Sequence, residues 1–351
     1  MKRPFYSWLP FVVAGLLISC GENPQPQEVL TPEQMYQQAQ LLLKPNVEHE
    51  EPDFKGALEL LKKAAEAGYT RACVDMAGIY MGGSKDGSIK ADAKLAFQWA
   101  AKAAAQGDAV ANYLCAQLLL IDGQEQAATP YLDKAIAARL PDAYLLKAFV
   151  LLDPPHIKDI LRIYDQSQRG SIMQQMAAQK SLDRIVHAKD NAEFLRYLTE
   201  AAHAGSPNAL YILSRYYVAK KDPLAIQWLT KAAQCGHPVI VSKAAYTLAT
   251  QYDSNSTLGI QPNVETALHW YKISADAGDA RAQYILALRL LAGEGVEANE
   301  PQGEALLRLA AGQDYPPAIE ALVHYLFRKD SDAHAQEIEA WVQRLNMLLQ
   351  K

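Results

Sequence analysis

Apolar positions along this chain fall into short amphipathic runs that keep ending in one phrase. Lys63 opens KAAEAGYTRA, Lys102 opens KAAAQGDAVA, Glu200 opens EAAHAGSPNA and Lys231 opens KAAQCGHPVI. The phrase holds no nucleophile, no acid paired with a base and no metal ligand, so it reads as a structural corner. In its first copy Ala64, Ala65 and Ala67 let one helix end lie close to the next, because small side chains shorten the distance between helix axes. Gly68 then stops the helix, since glycine takes a left-handed conformation at no steric cost; Gly107, Gly205, Gly236 and Gly278 repeat the stop.

The next helix opens on a second pattern, A-x-x-x-[small or Leu]-A-x-x-[Tyr or Leu]. It runs from Ala72 to Tyr80, Ala111 to Leu119, Ala209 to Tyr217, Ala244 to Tyr252, Ala282 to Leu290 and Ala318 to Leu326. With a degenerate copy at Ala143 and another near Ala177, the anchors are spaced 39, 32, 34, 32, 35, 38 and 36 residues apart. That period belongs to helix-pair repeats, in which each pair buries its apolar face only by stacking on its neighbours.

The second helix of each pair carries aromatics at matching places: Trp99, Tyr131, Tyr197, Trp228 and Trp270, with Lys102, Lys134, Glu200, Lys231 or Ile273 three residues later. This spacing puts the aromatic and apolar residues on one helical face. Such a stripe serves either as packing between pairs or as the lining of a ligand groove. At the C-terminus, Ile338, Trp341, Val342, Leu345, Leu348 and Leu349 share one face of a helix over 333–349. Its two readings are a cap on the last repeat, which an array needs at its end, and a helix that docks a partner.

Two links between helices are legible, GEGVEANEPQGEALLRLAA from Gly293 and GIQPNVETALHWYKISADAG from Gly259. With the corner phrases they resemble the Sel-one-like repeat, a relative of the tetratricopeptide repeat. The resemblance runs from about Gln34 to the C-terminus, with repeats over 34–332 and a departure over 143–208. There the Gly-x-Gly-Val loop is absent, DPPHIKD begins a helix, and RGS at Arg169 breaks it. The resemblance implies an all-α, right-handed superhelical solenoid of stacked helix pairs that acts as a protein-interaction scaffold.

The N-terminus concerns location. MKRPFYSWLPFVVAGLLISCG has Lys2 and Arg3, an apolar core from Leu9 to Ile18, and then small residues, as secretory signals do. The core is shorter than the roughly 20 residues a membrane-spanning helix needs. Leu17-Ile18-Ser19-Cys20-Gly21 resembles the lipobox of bacterial lipoproteins, which implies cleavage after residue 19 and lipidation of Cys20. Each buried CH₂ of an acyl chain contributes about 0.8 kcal/mol, so two or three chains would hold the protein on a membrane. Gly21 in place of Asp implies sorting to the outer membrane, facing the periplasm. GENPQPQEVLTPEQ after Cys20, rich in Pro, Gln and Glu, reads as a flexible tether over 20–33.

Charge and residue chemistry narrow the function. Net charge is −5, and loss of residues 1–19 removes two cations and no acid, leaving 32 basic against 39 acidic side chains, or −7. No Lys/Arg-rich run offers a surface to nucleic acid. Without Cys20, the cysteines Cys73, Cys115 and Cys235 are odd in number and lie in apolar helical contexts, as small buried hydrophobes or as one bridged pair. The eight histidines form no metal-binding spacing, and Cys235-Gly236-His237 already serves as a helix stop. No G-x-S-x-G, P-loop or S-x-x-K occurs, so neither an enzyme nor a cofactor is expected. The expected partners are envelope proteins; the alternative is a cell-wall glycan stacked on the groove aromatics, in a binding protein or a modulator of a peptidoglycan-acting enzyme.

Overall fold

The computed structural model describes residues 30–43, 53–83, 87, 89–152, 156–162, 191–253 and 256–349. The signal segment, Cys20, Arg169 and the anchor near Ala177 lie outside them. Among the described residues sixteen helices of 10 to 15 residues follow one another, with a short helical segment over 157–162 and no strand. The chain is all-helical, in stacked pairs, and divides into two units, residues 1–72 and 73–351.

The first unit holds α1 (Pro32–Leu42) and α2 (Phe54–Glu66), packed against each other. Thr31 starts α1 with a capping box, its hydroxyl accepting from Gln34 N–H while the Gln34 side chain accepts from Thr31 N–H. The Asp53 N–H returns to the Leu42 carbonyl at 2.9 Å, which brings the start of α2 back to the end of α1. Helix α3 (Thr70–Gly82) begins in the last residues of this unit and continues into the next.

The second unit continues with α4 (Ala93–Ala105), α5 (Ala109–Ile121), α6 (Glu125–Ala137), α7 (Pro141–Leu152), α8 (Ala192–His203), α9 (Pro207–Ala219), α10 (Leu224–Ala233) and α11 (Pro238–Tyr252). It ends with α12 (Val264–Asp276), α13 (Ala280–Ala292), α14 (Glu300–Gly312), α15 (Pro316–Asp330) and α16 (Ala335–Leu349). From α4 onward each helix packs on the next. The first helix of a pair also touches the first helix of the following pair, α5 on α7, α9 on α11 and α13 on α15. The first helices therefore form a layer of their own within this unit.

Corners are built as the phrase predicts. Gly68, Gly107, Gly205, Gly236 and Gly278 all have positive φ, between 76° and 95°. A Cβ on any of them would meet nothing within 4 Å, so backbone conformation rather than crowding requires glycine. Beyond the stop, the N–H groups of Tyr69, Asp108, Ser206 and Asp279 reach back five residues to the carbonyls of Ala64, Ala103, Ala201 and Ser274, closing a Schellman motif. The same side chain then starts the next helix: Asp108, Ser206 and Asp279 accept from N–H groups of its first turn. Two corners had no glycine to betray them, since Arg139 (φ 59°) and Asp314 (φ 62°) hold the left-handed position after α6 and α14.

Within 143–208 the described helices α7 and α8 form a split pair. Helix α7 packs on α8 as a first helix packs on its second elsewhere, although residues 153–191 separate them. Asn191 caps α8, and its side-chain amide donates to the Leu151 carbonyl at 2.9 Å. In the uninterrupted pairs the cap residue's backbone makes that return: Asp92 to Tyr80, Asn263 to Tyr252 and Asn299 to Leu290, at 2.7 to 2.9 Å. From within the insertion, Ile157, Ile160 and Leu161 are buried in the same core as Leu146, Phe149 and Leu198.

Candidate docking face

The second-helix aromatics all occur eight residues before a left-handed corner, Trp99 before Gly107, Tyr131 before Arg139, Tyr197 before Gly205, Trp228 before Gly236 and Trp270 before Gly278. Trp99 is buried, and Tyr131, Tyr197, Trp228 and Trp270 are half-buried against the core. Several ring faces already have cationic neighbours. Lys102 Nζ stands 4.0 Å from the Trp99 ring centre, Lys231 Nζ 4.4 Å from that of Trp228, and the Arg196 guanidinium 4.3 Å from that of Tyr197. The lysine of the corner phrase thus folds over the tryptophan one turn earlier. His203 adds a further ring contact with Trp228, at 5.5 Å.

The first-helix layer carries a different set. Two residues after the anchor alanine stands a tyrosine in four copies, Tyr113, Tyr211, Tyr246 and Tyr284, a regularity visible in the sequence as ANY, ALY, AAY and AQY but missed in the reading above. Three of them face the corner that opens the next first helix. Burial pushes the Tyr113 phenol up, and the neighbouring Asp142 carboxylate adds to the shift. Tyr246 lies under the Arg281 guanidinium at 4.0 Å, and the Tyr284 ring meets Tyr315 edge-on at 5.7 Å. Arg281 is held by Asp279 through two bonds of 3.0 and 2.5 Å, while Asp279 also caps α13. Arg281, Tyr246, Tyr284 and Tyr315 are half-buried and Tyr211 is buried.

Lys243 sits in the same place on α11 with 8% of its surface exposed. Burial, and then the neighbouring Arg281 charge, lower its ammonium pKa to about 8 against an opposing pull from Asp279. A second charged tie lies nearby at the other end of these helices. Asp253, closing α11, accepts from Tyr271 of α12 at 3.1 Å and from Arg289 of α13 at 2.7 Å. This tie joins three successive helices, and its side chains are 14% and 22% exposed, so it acts as a structural rivet.

The chemistry of this layer is that of hydrogen bonding and ring contact. Burial raises the phenols of Tyr246 and Tyr315, so they stay protonated donors. Burial also pushes the Cys115 thiol up to about 12, and it raises that of Cys73. Cys73, Cys115 and Cys235 are free thiols. No group of three His, Cys, Asp or Glu among the described residues is arranged to hold a metal ion. Nor is any described helix long and apolar enough to cross a membrane.

A family model described as the Sel1 repeat matches residues 48–69, 70–108, 208–237, 242–279 and 280–315. Those five segments are similar to the Sel1 repeat. The pairs α5 with α6 and α7 with α8 fall between the matched Sel1 segments, yet they stack in the same core as their neighbours. An uncharacterized protein of Neisseria meningitidis serogroup B is 27% identical over 220 residues, covering 54% of this chain and 44% of that protein. The chain thus spans less than half the length of that curated relative. Among solved structures, a Sel1 repeat protein from Oxalobacter formigenes aligns at 23% identity over 83% of this chain and 85% of its own, with a TM-score of 0.38. An immunity protein from Pseudomonas aeruginosa aligns at 19% identity over 73% of this chain and 85% of its own, with a TM-score of 0.46.

Proposed function

We propose that this Sel1-repeat protein is a non-enzymatic scaffold, anchored through lipid on Cys20 at the outer membrane of a bacterial cell and facing the periplasm, that docks envelope proteins. The observation that carries the docking face is the tyrosine-bearing layer of first helices, where Tyr246, Arg281, Tyr284 and Tyr315 reach the surface from successive pairs. Tyrosine and arginine supply large contact area with polar tips at little conformational cost, which suits protein surfaces. Repeated along an array, modest contacts add up to specific binding. The anchor rests on the charged start, the apolar core and the Leu17–Cys20 motif.

The glycan reading needs open ring faces on the second helices. Lysines standing over Trp99 and Trp228 give it no support. In-cell photocrosslinking from positions 246 and 284 tests the scaffold: adducts with defined envelope proteins are expected, and recovery of glycan without protein overturns the reading. Metabolic labelling with a fatty-acid probe tests the anchor separately. Label is expected on the wild-type chain and absent from Cys20→Ala; equal labelling of the two removes the lipid from the account.

A further inference from the structure

The last helix is attached differently from the others. Each helix from α4 to α15 contributes fully buried side chains to a core, whereas α16 contributes none. Its apolar face, Ile338, Trp341, Leu345 and Leu348, is only partly buried against a cluster that includes Leu307, Ile319, Leu322 and Leu326, each 0% exposed. Its other side leaves Val342, Met347 and Leu349 at 38%, 60% and 70% exposure. What is specific about its seat is charge. Arg308 of α14 donates both to Glu304 on its own helix and to Glu337 of α16, while Arg344 of α16 reaches Asp314 in the corner before α15. Glu304 is in turn gripped by Lys329 at 2.6 Å and Tyr325 at 2.9 Å from α15, so the guanidinium is aimed before α16 arrives. Trp341 completes the clasp, its indole N–H donating to Glu337 at 3.3 Å.

We propose that α16 is a detachable cap, a strap fastened by the Arg308–Glu337 and Arg344–Asp314 clasps that opens and closes over the apolar end of the last pair while the rest of the second unit stays folded. Ordering the 15 residues of α16 costs backbone entropy at every position. Four half-buried side chains return only part of what full burial of each gives. The intrahelical bonds and the clasps must make up the difference, which sets α16 at the low-stability end of the unit. When it lifts, Ile319, Leu322 and Leu326 of α15 are uncovered, on a first helix of the kind that elsewhere in the unit packs on the second helix of its pair.

Hydrogen exchange read by mass spectrometry on the full chain tests this directly. Amides over 338–349 are expected to exchange at least about a hundredfold faster than those of α13 and α15, as a locally opening segment does. Arg308→Gln is expected to speed α16 exchange by about tenfold more, the worth of charge-assisted hydrogen bonds, with α13 to α15 unchanged. Glu337→Gln removes the clasp from the other side and leaves Arg308 paired with Glu304, so it serves even if Arg308→Gln folds poorly. Exchange of α16 in one event with α15, or no response of α16 to Glu337→Gln, overturns the proposal.

Discussion

The split pair, α7 with α8, and the uninterrupted pair, α13 with α14, do the same job at very different separations in sequence. Residues 153–191 separate the first two helices in sequence, and 293–299 the second two. Both bring a cap asparagine back to the end of the first helix at 2.9 Å, Asn191 through its side chain to Leu151 and Asn299 through its backbone to Leu290. Both place a fully buried leucine seven residues before the next left-handed corner, Leu198 before Gly205 and Leu307 before Asp314. What makes a pair is therefore the contact between two helices and its cap.

The comparison breaks first at those leucines. Leu198→Ala and Leu307→Ala are each expected to cost about 2–5 kcal/mol in urea unfolding, because both leave a cavity in a core of 0% exposed side chains. A loss under about 1 kcal/mol for Leu198→Ala alone would mean that α8 is not the true second helix of α7.

A smaller difference separates the residue before the anchor alanine, Asp142 in the split pair and Lys243 on α11. Ser206 donates to Asp142 at 3.1 Å, whereas Lys243 is buried with its pKa lowered to about 8. The unfolded chain holds that proton up to its ordinary pKa of 10.5, so between about 8 and 10.5 it binds more protons than the folded chain. Stability contributed by this site therefore rises with pH across that window, by up to about 3 kcal/mol. Lys243→Met should abolish the rise in denaturant midpoint, and an unchanged profile would show that the ammonium is not desolvated.

Asn191→Ala should cost about 1–2 kcal/mol, the loss of a cap, since its side chain accepts from Glu193 and Phe194 N–H as well as bridging to Leu151. Asn299→Ala loses the cap alone, because there the return to Leu290 is made by backbone, and a smaller cost is expected. Equal costs in the two variants would remove the side-chain bridge from the account. The smallest effect is at the corners: Arg139→Gly should raise stability by up to about 1 kcal/mol by relieving a left-handed residue that carries a Cβ. Gly278→Ala should lose a similar amount, although nothing crowds its Cβ position.

Much of the architecture was legible from the corner phrase because its parts are local. Gly107 stops α4 and Asp108 starts α5 within two residues, whatever lies elsewhere in the chain. The corners at Arg139 and Asp314 were harder to see because a left-handed residue other than glycine leaves no compositional mark. The anchor expected near Ala177 lies outside the described residues. Helix contact pairs Pro141–Leu152 with Ala192–His203 across that stretch, which spacing alone does not reveal. On the candidate face, the sequence drew attention to the tryptophans because they are rare and regular. The tyrosines at Tyr113, Tyr211, Tyr246 and Tyr284 passed unnoticed among 18 of their kind.

From the sequence alone came the helical period, the left-handed stops, the resemblance to Sel-one-like repeats and the expectation of an end cap. All of these depend on interactions within a few residues or on repetition. Only the folded chain decided that α8 belongs to α7, that Lys102 and Lys231 lie over Trp99 and Trp228, and that Arg281 covers Tyr246. It also decided that α16 is held through Arg308 and Asp314 without a buried core of its own. Those outcomes turn on which surfaces meet across tens of residues, and loop entropy is too weak a function of length for spacing to reveal them.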